Sequence, residues 1–226
     1  AANVEIAFRI AGKQPELWDA ITGTTRDLPE YRIENGRTII PLDLAPSGSC
    51  FIVFRKGIRG DSNKSDRRNF PELKTIAELD GSWEVVFDPK WGGPGQVTFD
   101  KLIDWTESPM PGIKYYSGKA TYKKVFDLKE HAVEKKGKVY LDLGHLRSMA
   151  EVKINGKDLG VLWCPPWRIE ITRFLKPKNN SLEIDIINVW ANRVIGDSAL
   201  PEKERVTWTS LSDTRWALKP DHKLIP

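Results

Sequence analysis

Cysteine, histidine and methionine are scarce in this chain, with two, three and two residues among 226. Cys50 and Cys164 stand far apart. No Cys-x-x-Cys or His-x-x-x-His spacing is present, so neither a transition-metal site nor a disulfide framework is indicated. Cys50 falls in the apolar run Cys50-Phe51-Ile52-Val53-Phe54 and reads as a small core hydrophobe. No segment approaches the roughly 18 apolar residues that a membrane-spanning helix needs, so no membrane partner is expected. No signal peptide opens the sequence, and a start at Ala1-Ala2-Asn3 reads as trimmed. An excess of one charge is also missing. Thirty-five basic against 31 acidic residues leave +4, too near balance to imply a nucleic-acid partner.

Catalytic signatures are absent as well. Gly92-Gly93-Pro94-Gly95 does not lead into a helix and makes no dinucleotide or phosphate loop. Asp142, His145 and Ser148 lie close in sequence, but without a Gly-x-Ser-x-Gly elbow they read as a polar turn. His131 and His222 read as surface residues. Glycoside hydrolysis needs two carboxylates across a sugar-sized cleft, and no acidic pair is singled out by position. Glu183 and Asp185 share one face of a strand and read as solvated sheet carboxylates. No catalytic residue and no cofactor is therefore assigned. Loop carboxylates could hold a structural Ca²⁺, but no pattern places one.

What the chain has instead is period-2 alternation and nine tryptophans. Val4, Ile6 and Phe8 alternate with polar neighbours, as do Val139, Leu141 and Leu143, and later Leu182, Ile184 and Ile186. Asn35-Gly36 and Asn155-Gly156 stand between alternating runs, the signature of two-residue hairpins. The fold class is thus all-β, in antiparallel sandwiches with little helix. Three stretches follow from composition: a partial β-sandwich over 1–56, a Gly/Ser/Asp/Arg-rich linker over 57–74, and a larger sandwich over 75–226. The basic run from Arg55 to Arg68 reads as solvated linker. In the long strand from Ser181 to Trp190 the apolar phase slips at Ile186-Ile187. That slip predicts a bulge which turns Asn188 and Trp190 outward, on the side of Glu183 and Asp185. Indole planes stack on the C–H faces of sugars and also fill interface cores, so both uses stay open for the exposed ones.

Three passages carry a resemblance: Lys114-Tyr115-Tyr116-Ser117-Gly118-Lys119-Ala120-Thr121-Tyr122, Trp163-Cys164-Pro165-Pro166-Trp167-Arg168, and Asn188-Val189-Trp190-Ala191-Asn192-Arg193-Val194-Ile195-Gly196-Asp197. With the strand–hairpin–strand of Val139 to Gly160, they resemble the sugar-binding jelly roll of family-2-type glycoside hydrolases. The likeness is greatest to the large bacterial α-L-rhamnosidases of family 106. The first block, through Lys13-Gln14-Pro15-Glu16-Leu17-Trp18-Asp19 and Gly36-Arg37-Thr38, looks like the strands before that domain. The resemblance implies that 75–226 is a galactose-binding-like jelly roll and that the catalytic carboxylates sit in a barrel of the same polypeptide, absent from this chain. It further implies a periplasmic or extracellular bacterial protein. The expected function is that of a non-catalytic carbohydrate-binding accessory region of a hydrolase acting on plant-type, rhamnose-containing polysaccharides. The alternatives are an interdomain scaffold without a ligand and a self-contained glycosidase. The residues expected to meet sugar or a neighbouring domain are Trp163, Trp167, Arg168, Asn188, Trp190, Asn192 and Arg193. The partners are carbohydrate and the missing barrel.

Overall fold

The computed structural model describes residues 2–58, 68–128, 137–207 and 222–225. The chain divides into two compact units, Ala1–Thr75 and Ile76–Pro226.

The first unit holds six strands: β1 (Ala2–Phe8), β2 (Lys13–Trp18), β3 (Thr25–Asp27), β4 (Arg32–Glu34), β5 (Arg37–Leu44) and β6 (Phe51–Gly57). They form two antiparallel three-stranded sheets, ordered β1-β5-β4 and β3-β2-β6. Leu17, Leu28, Tyr31, Ile40 and Leu42 are buried together, with Phe8, Cys50, Ile52, Phe54 and Phe70 packed against them. Burial pushes the Cys50 thiol pKa up, in keeping with an inert packing role. The first Asn-Gly pair closes its hairpin as the sequence requires. Glu34 faces Arg37 across the turn, and Asn35 and Gly36 adopt φ of 51° and 71°, both left-handed as a type I′ turn demands.

Two features of this unit depart from the sequence reading. Arg55 and Lys56 open the basic run, yet they belong to β6 and pair with the buried Glu16 at 2.9 and 3.5 Å. Hydrogen bonds from Arg55 outweigh the effect of burial and hold the Glu16 carboxyl below its usual range. Asn69, within the stretch expected to be linker, is buried. It accepts from the Glu30 N–H at 2.9 Å and donates to the Glu30 carbonyl at 2.6 Å. Residues 59–67 lie outside the described residues, as does His131.

The second unit is built on β7 (Trp83–Phe87), β8 (Gln96–Phe99), β9 (Lys119–Phe126), β10 (Tyr140–Asp142), β11 (Met149–Ile154), β12 (Lys157–Leu162), β13 (Arg168–Glu170) and β14 (Asn180–Ile187), with short helices α1 (Pro111–Lys114) and α2 (Ala191–Ser198). Six strands pair in the order β12-β11-β14-β9-β7-β8, and β10 pairs with β13. Alternation sorts the six-stranded sheet into two faces. Val85, Phe87, Ala120, Tyr122, Ala150, Val152, Ile154, Leu182 and Ile184 point into one core with Leu141, Ile171 and Tyr116.

The predicted bulge does not occur where the apolar phase slips. β14 pairs without a register shift on both sides, and the irregularity lies between Glu151 and Lys153, against β12. The phase slips because β14 ends at Ile187 and the chain leaves the sheet. Nor is Asp185 a solvated carboxylate. It is 2% exposed, accepts from Lys119 at 3.0 Å and Thr121 at 2.5 Å, and has Lys153 at 3.9 Å. Glu183, by contrast, keeps its half-exposed place on that face.

The second Asn-Gly hairpin, between β11 and β12, has Asn155 and Gly156 at φ 51° and 75°. The Asn155 amide donates to the Phe174 carbonyl at 2.7 Å and to Oδ1 of fully buried Asn180 at 3.0 Å. Asn180 Oδ1 also accepts from the Lys176 N–H, and its amide donates to the Lys176 carbonyl, both at 2.7 Å. One buried amide thus locks the turn before β14 to the β11–β12 hairpin. Asn180→Ala leaves several of these groups unpaired, and a loss of about 1–3 kcal/mol is expected in urea denaturation. A loss near zero would show that water replaces the amide.

Candidate functional site

Register sets the site. Leu162, Ala150, Ile186, Ala120 and Phe87 form one row across β12, β11, β14, β9 and β7. The chain therefore leaves the sheet at the same end after Leu162, Ile187 and Phe87. Trp163 follows the first exit, Asn188 to Trp190 the second, and Asp88 to Trp91 the third. Trp163 and Trp190 are each 58% exposed and Trp91 is 41% exposed. The rings of Trp91 and Trp190 meet edge to face, with centroids 5.5 Å apart and planes at 87°.

Beneath the indoles the polar groups are turned inward. Asn188 Oδ1 accepts from Gly118 N–H at 2.8 Å, and its amide donates to the Tyr116 carbonyl at 2.9 Å. The buried Tyr116 hydroxyl donates to the Lys119 carbonyl at 2.8 Å and accepts from Asp88 N–H at 3.0 Å, which ties the third exit to the second. Burial pushes the pKa of this phenol up. Asn192 imitates a strand partner. Its amide donates to the Ile225 carbonyl at 2.6 Å, and its oxygen accepts from Ile225 N–H at 2.7 Å. Arg193 N–H donates to Ser117 Oγ at 3.0 Å, while its guanidinium pairs with Asp197 one turn along α2. Asp197 Oδ2 accepts from Val206 N–H, Thr207 N–H and the Thr207 hydroxyl at 2.9, 2.6 and 2.7 Å. Gly92 has φ of 76°, and a Cβ there would lie 2.8 Å from Arg193 Nη1. Only glycine lets the Trp91 turn sit so close to the guanidinium.

Asn192 and Arg193, expected to meet sugar or a neighbouring domain, lie buried on α2. Trp167 is buried too, and its carbonyl accepts from Leu143 N–H at 2.8 Å. Arg168 is half-buried in β13, opposite Asp142. Of the expected residues, Trp163 and Trp190 reach solvent as aromatic surfaces, while Asn188, Asn192 and Arg193 hold the base together. Trp91 escaped sequence reasoning, although an indole just before Gly-Gly-Pro-Gly in a loop was the available signal. Asp142 Oδ1 accepts from Gly144 N–H at 2.8 Å, the polar turn expected there. Among the described residues no group of three His, Cys, Asp or Glu is placed to hold a metal ion, and no helix is long and apolar enough to cross a membrane.

Comparison with known proteins agrees with this architecture. Residues 103–217 match the family described as glycosyl hydrolase 2 galactose-binding domain-like. The chain belongs to that family. This galactose-binding-like chain is 41% identical over 207 residues to a Formosa agariphila protein named "Putative beta-glucuronidase", covering 88% of the chain and 17% of that protein. It is also similar to the structure of a rhamnosidase from Novosphingobium sp. PP1Y, with 34% identity and a TM-score of 0.82, covering 99% of the chain and 20% of that protein. The chain thus spans about a fifth of either relative. The expected all-β galactose-binding-like fold and the kinship with glycoside hydrolases both hold.

The base of the galactose-binding-like rim has a definite pH signature. Burial raises the Asp197 pKa, but bonds from Thr207 and Arg193 outweigh it and carry it below the ordinary 3.8. A carboxyl depressed in the folded state stabilises the fold at pH above its unfolded value, and that contribution is lost as pH falls through the folded value. Asp197→Asn should cost about 3 kcal/mol or more at neutral pH, because Arg193 stays buried without its counter-charge. The gap from wild type should narrow in melts taken from about pH 5 to pH 2. A constant gap would mean that the carboxylate's charge is not what it contributes.

Proposed function

We propose that the galactose-binding-like unit is a non-catalytic, carbohydrate-facing accessory domain of a glycoside hydrolase, meeting saccharide through Trp163, Trp190 and Trp91. The observation that carries this reading is three solvent-exposed indoles at one end of a sheet, two of which, Trp91 and Trp190, meet edge to face over a hydrogen-bonded base. Aromatic faces held rigidly bind C–H surfaces with little entropy left to lose. Arg168 is the nearest of the expected residues in sequence that could add hydrogen bonds to vicinal hydroxyls. The whole protein would act on plant-type polysaccharides, rhamnose-containing ones among them. Its catalytic carboxylates would lie in a barrel of the same polypeptide, and it would work in the periplasm or outside the cell.

One observation favours a second reading, in which the rim packs on that barrel and binds no sugar itself. Asn188, Asn192 and Arg193 spend their side-chain hydrogen bonds internally, leaving a rim that is aromatic first and polar second. Tryptophan is also enriched at the centres of protein interfaces.

Calorimetric titration of the chain with L-rhamnose, galactose and pectin-derived oligosaccharides separates the two. Saturable heat that weakens about tenfold or more in Trp163→Ala or Trp190→Ala is expected for the sugar-facing rim. A folded chain that gives no heat with any of these glycans would leave the scaffold reading standing.

A further inference from the structure

The outer face of the six-stranded sheet, away from the core and distinct from the rim, carries a groove of 570 Å³ lined in part by Glu84, Lys123, Val125, Lys153, Ser181 and Glu183. Register explains its chemistry. Glu84 of β7 faces Lys123 of β9, Lys123 faces Glu183 of β14, and Glu183 faces Lys153 of β11. Four adjacent strands therefore present acceptor, donor, acceptor and donor in one row about 14 Å long, at about 4.8 Å per strand.

The row is only partly satisfied by itself. Lys153 donates to Glu183 at 3.2 Å. Lys123 lies 3.8 Å from Glu84, too far for a hydrogen bond, and no ion pair within 4.0 Å joins it to Glu183 among the described residues. Neither its ammonium nor the Ser181 hydroxyl has a side-chain hydrogen bond there. Val125, two residues on from Lys123 along the same face, is 65% exposed.

We propose that this groove is a second saccharide-binding surface, taking a neutral oligosaccharide laid across the strands. Within the row two carboxylates and two ammoniums cancel, and Lys124, a third lysine lining the groove, donates to the Ser82 carbonyl at 2.9 Å and lies over the Trp83 ring, so the row itself has no net charge with which to attract an anion. A sugar hydroxyl both donates and accepts, so hydroxyls on successive rings of an extended chain, and not neighbours on one ring, can meet alternating acceptors and donors at strand spacing. The length of the row suits a chain of several sugars and not a single one. Val125 offers an apolar spot for a C–H face. With no aromatic ring among these six residues, affinity comes from many polar contacts and is modest.

The proposal rests on the carbohydrate-facing reading of the domain but not on the tryptophan rim, and backbone amide NMR titration keeps the two apart. Galactotetraose added to the 226-residue chain is expected to give saturating shifts along 123–125 and 181–183, with galactose far weaker. Lys123→Met and Glu183→Gln should each weaken that binding about tenfold with the melting temperature unchanged. Trp163→Ala should leave it intact. Shifts confined to the rim, or none along the row, would overturn the groove while leaving the rim to its own test. Tighter binding of tetragalacturonate than of galactotetraose at the row would overturn the neutral class of ligand.

Discussion

The pair formed by Arg193 and Asp197 takes two charges out of water on one face of a two-turn helix. A buried ion pair of this kind is tolerable only where further hydrogen bonds complete it, and here the carboxylate receives them, while the buried Arg193 Nε has no hydrogen-bond partner among the described residues. Thr207 and Val206 close on the carboxylate, Ser117 receives the Arg193 N–H, and Gly92 leaves room for the guanidinium. Segments from four parts of the chain are thereby held at one end of the sheet. The exposed indoles of Trp91 and Trp190 stand on that junction. The pair matters less as a source of net stability than as a constraint that fixes where three loops meet.

The same end of the domain illustrates how a long unusual motif can be functional through support as much as through contact. In the passage from Asn188 to Asp197, Asn188 latches the turn after α1, Trp190 meets Trp91, and Asn192 binds a backbone segment more than thirty residues downstream. Gly196 packs where a Cβ would come 2.6 Å from Tyr115. Each residue type answers a local geometric demand. A side chain that binds a ligand and one that holds the binding loop can look identical in sequence, because both need the same donors and acceptors.

The two faces of the six-stranded sheet divide the work differently. The inner face is apolar and belongs to the core. The outer face carries an ion-pair row beside Asp185, whose carboxyl is held below the usual range by Thr121 and Lys119 despite burial that pushes it up. Lysine stems can lie across a sheet and shield a carboxylate while their ammoniums stay wet, which accounts for a charged residue only 2% exposed on the solvent side.

Much of this was legible in the sequence. Period-2 alternation determined the strands and the all-β class, because a pleated strand has no other way to present one apolar face. The two Asn-Gly pairs determined their hairpins, since both central residues need positive φ. Three things needed the tertiary structure. The phase slip at Ile186-Ile187 is a strand end and not a bulge, and pattern alone cannot separate the two. Asp185 is buried because lysines on neighbouring strands cover it, a fact of pairing between distant segments. Trp91 meets Trp190 because β7 and β14 end in the same row. Local sequence determines which residues form strands and turns, whereas strand order and register decide which distant side chains meet.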